Sequence, residues 1–467
     1  MPDRYKETSS HIQSNVSSIS KKWFKLSLGS LILAGLLSGA FLIGRAPFIS
    51  ELISNTEWIR RLLVVHVNLA LLVWVYAFIC SLFVLIPSTW ENDTSFDVAF
   101  LISLFGSGLL VSMIFVPGAK PIMTDYIPLL DHAFFIFSLL LIAFGVILTV
   151  FSPKLLSTSA IGNRSPLGKA SVAGLQATGI LLFLSLLTFL MSWWMTPAMD
   201  DSKRYYELVV WGGGHLLQFV NMAALSSIWL MLGKKVLGET ILSYKWAIIL
   251  FGAFILPTLF APMLLANGTT DPMYTRGFTF YMEWGIFPVI TIFILIITVK
   301  FFRKINRGNF SKSQLSNPYF TGLSVSISFI VIGFIMGGFI DGANVLIPAH
   351  YHAALGGITI GFMSMAYLLM EFYGYEYSIR LKKYAAIQPM LFGAGQFIFV
   401  VGFAYAGSYG LARKTFGADQ NIDSIEIYMG LIVAALGGLA AIFGGLFFFW
   451  IIFKIWTMKR NNKSILT

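Results

Sequence analysis

The chain has 467 residues, of which 57% are hydrophobic and 11% charged, and its mean hydropathy is +0.79. A water-soluble domain carries about a quarter charged residues, so an ordinary soluble globular protein is excluded. The net charge of +11 is scattered over separate loops rather than gathered on one face, which argues against a nucleic-acid partner.

Residues 1–22 read as a polar, Ser-rich cytoplasmic tail without fixed structure, 23–457 as one membrane domain, and 458–467 as a short basic tail. Within the membrane domain, apolar runs occur at 25–45, 61–87, 98–117, 130–151, 171–196, 207–232, 246–266, 278–300, 321–340, 347–372, 388–411 and 427–455. Each is long enough to cross a hydrocarbon core of ~30 Å, and backbone in lipid must satisfy its own hydrogen bonds. The expected fold is therefore an all-α polytopic membrane protein of twelve transmembrane helices. The polar stretch before the first run is too long for a cleavable signal peptide, and no small-residue cleavage site follows. Segments 153–169 and 303–318 read as loops, and the glycines of 333–342 and 437–445 suit close helix packing.

An even number of spans puts both termini on one side. Loops on that side are rich in Lys and Arg, among them Lys154, Arg164, Lys234, Lys235, Arg303 and Lys383, and the tails add Lys21, Lys22, Lys459 and Arg460. The opposite loops mix signs, as in Glu51 with Arg60 or Asp125 with Lys120. The positive-inside rule then places both termini in the cytoplasm, with the bundle in a bacterial-type inner membrane. The single cysteine, Cys80, excludes a disulfide within the chain and a CxxCH site for covalent haem.

Ionisable side chains inside a membrane are rare, so the histidines carry the chemistry. His66 lies nine residues past Glu57, His215 eleven past Arg204 and His352 eleven past Asp341, all entered from the side opposite the termini. At 1.5 Å per residue each imidazole sits roughly 15 Å along its helix. His350 and His352, two apart, project to opposite sides of one helix, since two residues turn an α-helix by about 200°. They cannot share a metal, but each can hold a separate macrocycle. Neutral imidazole is a standard axial ligand of haem iron. The pattern reads as two non-covalent haems flanking one helix, with His66 able to complete six-coordination at one. Asp131-His132 reads as a hydrogen-bonded pair near haem propionates or in a loop.

These residues resemble subunit I of the heme-copper oxidase and nitric oxide reductase superfamily over most of the twelve spans. The resemblance rests on Arg61 with His66-Val67-Asn68-Leu69 and Trp74, on Trp211-Gly212-Gly213-Gly214-His215, and on Pro348-Ala349-His350-Tyr351-His352 followed by Ala354-Leu355-Gly356. It implies that His66 and His352 ligate a low-spin haem, and that His350 is the proximal ligand of a high-spin haem binding O2 or NO. It also implies that His215 faces a distal copper or non-haem iron, and that Glu283 is a membrane carboxylate suited to proton delivery. A cytochrome c-type or quinol electron donor and further subunits are implied as partners. Arg276 is a candidate partner for a haem propionate.

The chain also departs from that pattern. The best register of the seventh span puts Pro262 and Met263 where the family has two adjacent histidine ligands. Proline offers no donor, and a thioether such as Met263 suits Cu(I) but is poor for Cu(II) or Fe(II). Gln218 and Asn221, three and six residues past His215, read either as oxygen donors or as ordinary helix-packing groups. The position four residues after His215 is Phe219, which excludes both the redox tyrosine of the oxygen reducers and the glutamate ligand of the nitric oxide reductases. The leading expectation is a respiratory oxidoreductase passing electrons from the His66/His352 haem to the His350 haem, with a degraded distal metal. The alternatives are a haem protein that transfers electrons, binds gas or senses it without turnover, and a transporter lined by histidines.

Overall fold

A computed structural model describes residues 2–45, 56–88, 93–157, 165–308, 312–415, 420 and 422–458. Glu51, Arg164 and the basic tail from 459 onward lie outside these. Among the described residues twelve helices are long and apolar enough to span a membrane, as the sequence implies: α1 Ser17–Ala40, α2 Glu57–Phe83, α3 Thr94–Phe115, α4 Ala133–Val150, α5 Lys169–Met195, α6 Ser202–Leu237, α7 Tyr244–Leu265, α8 Pro272–Asn306, α9 Pro318–Gly337, α10 Leu346–Phe372, α11 Ile379–Ser408 and α12 Ile425–Trp456. Burial sorts them: the most apolar stretch of α6 is 94% buried and that of α10 83%, against 33% for α12. The two helices at the centre of the bundle are those that carry His215, His350 and His352.

Helix starts follow local chemistry. Asp201, Asp271, Asn317 and Ser424 each accept a hydrogen bond from a backbone N–H of the first turn, and Pro272 and Pro318 occupy first-turn positions that need no donor. Three features differ from the sequence expectations. The helix containing α1 runs from Pro2 to Arg45, so the stretch expected to be an unstructured tail continues the membrane helix; once a helix is nucleated, adding residues to it is far easier than starting one. The seventh span is two pieces, Tyr244–Thr258 and Ala261–Leu265, because Pro257 and Pro262 remove successive backbone donors. His132 is the N-cap of α4, its Nδ1 accepting from the Phe134 N–H at 3.3 Å rather than pairing with Asp131.

Small residues let α11 and α12 touch along their length. A Cβ on Gly437 would lie 2.2 Å from the backbone nitrogen of Phe399, and one on Gly402 2.3 Å from that of Ala434. On the side opposite the termini, the α3–α4 connection forms a short antiparallel hairpin of β1 (Lys120–Ile122) and β2 (Leu129–Asp131), with Lys120 opposite Asp131. The tip of this hairpin enters the site.

Candidate haem cavity

One large cavity of about 1080 Å³ opens inside the bundle and is lined by His66, His350 and His352. It exceeds the ~300–1,000 Å³ usual for small-molecule sites, leaving room for more than one flat ring system. His66 enters from α2, three residues before a one-turn π-helix at Leu69–Val73, a local widening common at functional sites. Its Nδ1 pairs with the Ala34 carbonyl of α1 at 2.8 Å. His350 Nδ1 pairs with the Gly333 carbonyl of α9 at 2.7 Å. A carbonyl can only accept, so Nδ1 carries the proton in both rings and Nε2 holds the lone pair. A metal-binding histidine is ordinarily oriented in this way by a backbone carbonyl.

His352 leaves the other face of α10. Its ring lies 4.6 Å from that of Phe399 and 6.4 Å from that of Phe403, both on α11. The divergence expected from the two-residue spacing is therefore present, one ring turned toward α9 and the other toward α11. Gln396, also in the cavity wall, has its Oε1 buried without a hydrogen-bond partner. An apolar cavity with imidazoles on two of its helices and an unsatisfied amide in its wall fits haem.

The cavity mouth contains charges that sequence reasoning passed over. Arg413 and Lys414, in the α11–α12 connection, line the cavity and reach Asp125 in the β1–β2 hairpin, at 3.0 and 2.6 Å. Lys414 also donates to the Met123 carbonyl at 2.6 Å. Its backbone has φ of 63°, and a non-glycine residue in that region costs of order 1–3 kcal/mol, a strain typical of functional loops. Burial works against the Asp125 charge, but Lys414 and Arg413 outweigh it and hold the carboxyl below its usual range. At Lys414 burial prevails and loosens the ammonium's hold on its proton despite Asp125. The only signal in the sequence was a pair of cations in a loop otherwise expected to be of mixed sign.

The remaining candidates are arranged differently. Glu283 lines the cavity, but it is exposed rather than enclosed in protein. Arg276 is exposed and outside the cavity lining, and Met263 is 70% exposed. His215 is fully buried and is not in the cavity wall; its Nδ1 pairs with the Trp211 carbonyl at 2.7 Å and its Nε2 with the Tyr126 hydroxyl at 2.9 Å. Tyr126, at the hairpin tip, is the wall residue there. Burial, followed by the charges of Asp125, Glu207 and Glu283, makes its phenol hold its proton more firmly than usual, which keeps it a donor. Among the described residues no three His, Cys, Asp or Glu side chains come together as a metal site. The donor set near His215 does not fit a distal copper or iron.

The sequence matches the family described as cytochrome c and quinol oxidase polypeptide I over residues 18–440. The chain belongs to that family. Among curated relatives, this oxidase-family chain is 26% identical over 521 aligned positions to an uncharacterized protein of Rickettsia prowazekii, covering 97% of this chain and 98% of the relative. It is 27% identical over 356 positions to an uncharacterized protein of Aquifex aeolicus, covering 76% and 85%. Its fold is similar to that of a heme-copper terminal oxidase solved as a dimer, with a TM-score of 0.73, 18% identity, and coverage of 96% of this chain and 86% of that one. The chain is thus an oxidase subunit I-like, multi-pass membrane protein of a haem-binding family.

Proposed function

We propose that this chain is a dihaem membrane oxidoreductase subunit in which His66 and His352 hold one haem and His350 the other. The observation that carries the reading is the single cavity receiving imidazoles from α2 and from both faces of α10, with His66 and His350 each oriented by a carbonyl. The two haems would supply electron transfer and the binding of a small gas, O2 or NO. His66 Nε2 and His352 would together hold one haem and suit it to electron transfer, whereas His350 Nε2 alone would hold the other and leave it able to bind a gas. Arg413 and Lys414 would neutralise haem propionates at the cavity mouth, the role expected of Arg276, which stands outside the wall. Glu283 presents a carboxyl to the cavity and holds or releases a proton there. Electrons come from a cytochrome c-type or quinol donor through partner subunits, and both termini face the cytoplasm of a bacterial-type inner membrane.

Replacing the histidines singly tests the assignment. In the purified, detergent-solubilised chain, His66→Ala or His352→Ala removes the low-spin haem spectrum and leaves the gas-binding haem, while His350→Ala does the reverse. Wild-type protein without a haem spectrum, or variants with undiminished haem, contradicts the reading. The missing distal donors favour a second reading, in which the same haems transfer electrons or bind gas without turnover. An oxygen or nitric oxide electrode separates the two: sustained consumption with a reduced donor supports the first reading, and reversible binding alone supports the second.

A further inference from the structure

We infer that His215 is not a metal ligand in this protein but the acceptor of a hydrogen bond from Tyr126, so that a phenol–imidazole pair stands where a distal metal would be expected. The inference rests on the dihaem reading and concerns what faces the second haem. Lone pairs can be counted. The Trp211 carbonyl accepts at 2.7 Å, which commits the His215 proton to Nδ1 and leaves one lone pair, on Nε2. Tyr126 donates to that lone pair at 2.9 Å. Thr279 lies 3.3 Å from the same nitrogen but gives its proton to the Thr275 carbonyl at 3.0 Å. A metal at Nε2 would have to displace the phenol.

The phenol is built in. A Cβ on Gly214 would fall 2.5 Å from Cβ and Cγ of Tyr126, so the glycine preceding His215 is the notch that seats the tyrosine. The ring packs edge-on against Trp211, with centroids 5.8 Å apart. Its loop is pinned on one side by Asp125 with Lys414 and Arg413, and on the other by Asn68, whose amide donates to the Pro128 carbonyl at 2.8 Å. Having given its proton to His215, Tyr126 offers the cavity only oxygen lone pairs. The wall there suits a ligand that itself carries an O–H or N–H, such as water or a protonated product of gas reduction, better than it suits a bare diatomic.

The test uses the haem-loaded chain expressed with added copper and iron. The expected result is iron equal to the haem count, no copper above background, and a His215 Nε2 resonance, in 15N-histidine NMR, that shifts in Tyr126→Phe while the haem spectrum is kept. About one copper or one non-haem iron per two haems, lost in His215→Ala, overturns the inference; so does a Tyr126→Phe spectrum with no histidine shift. Either result leaves the haem spectrum intact, whereas failure of the dihaem reading removes that spectrum.

Discussion

At Asp125, two cations meet one carboxylate whose side chain is 24% exposed, and the carboxyl is held below its usual range. A carboxylate with a depressed folded-state value stabilises the fold above its ordinary pKa near ~4, and that stability is lost as pH falls through the lower folded value. Asp125→Asn therefore lowers the stability of the hairpin and its neighbours by about 1–3 kcal/mol at neutral pH, less than for a fully enclosed pair because solvent screens it. Thermal unfolding of the two proteins from pH 3 to 8 should show the gap at pH 5 and above and its loss below about pH 4. Gly214→Ala acts on the other side of the same tip. The new Cβ forces Tyr126 away from His215 and costs about 1–3 kcal/mol of overpacking, measurable as a lower unfolding midpoint together with a changed histidine resonance. The histidine triplet His66, His350 and His352 was legible in the sequence, because imidazoles in lipid are few and spacing fixes their faces. The Tyr126–His215 bond was not, since it joins residues 89 positions apart through a loop whose path no local pattern encodes.

Among the elements, α6 and α10 show how the site is placed. Tyr274 of α8 sends its hydroxyl into α6, donating to the Leu208 carbonyl at 2.7 Å and accepting from the Gly212 N–H at 2.9 Å. That hydroxyl ties α8 to the backbone of α6 one turn before His215, within a helix that stays unbroken from Ser202 to Leu237. His66 and His352 share a cavity more closely than they share a depth. His352 lies six residues, or ~9 Å, into α10, whereas His66 lies nine residues, or ~14 Å, into α2, because helices start at different levels. Glycine content predicted close packing correctly, since a Gly437 Cβ has no space against the α11 backbone. Gly437→Leu should push α12 from α11 and cost several kcal/mol, at or above the ~1–3 kcal/mol typical of overpacking, because backbone cannot yield as a side chain does. Loss of folded protein in detergent, measured by size-exclusion chromatography, checks this; an unchanged elution profile and midpoint would count against backbone contact at Gly437. The break in α7 went unread although Pro257 and Pro262 stand in the sequence, and so did the continuation of α1 to Pro2, because Ser-rich composition predicts local preference and not extension of a helix already formed.

For the molecule as a whole, hydropathy and charge made twelve spans legible because the bilayer leaves the backbone so few options. The cavity was legible only in outline. Its imidazoles could be read, whereas its cationic mouth and its phenol wall come from two loops that meet only in the folded chain. Under the proposed dihaem assignment, one cavity would hold two irons in different coordination. The most direct test of that assignment is the haem count of the purified chain combined with carbon monoxide titration of the reduced protein. About two haems per chain are expected, one that binds carbon monoxide and one that does not. Absence of haem, a single haem, or carbon monoxide bound at every iron would contradict the assignment.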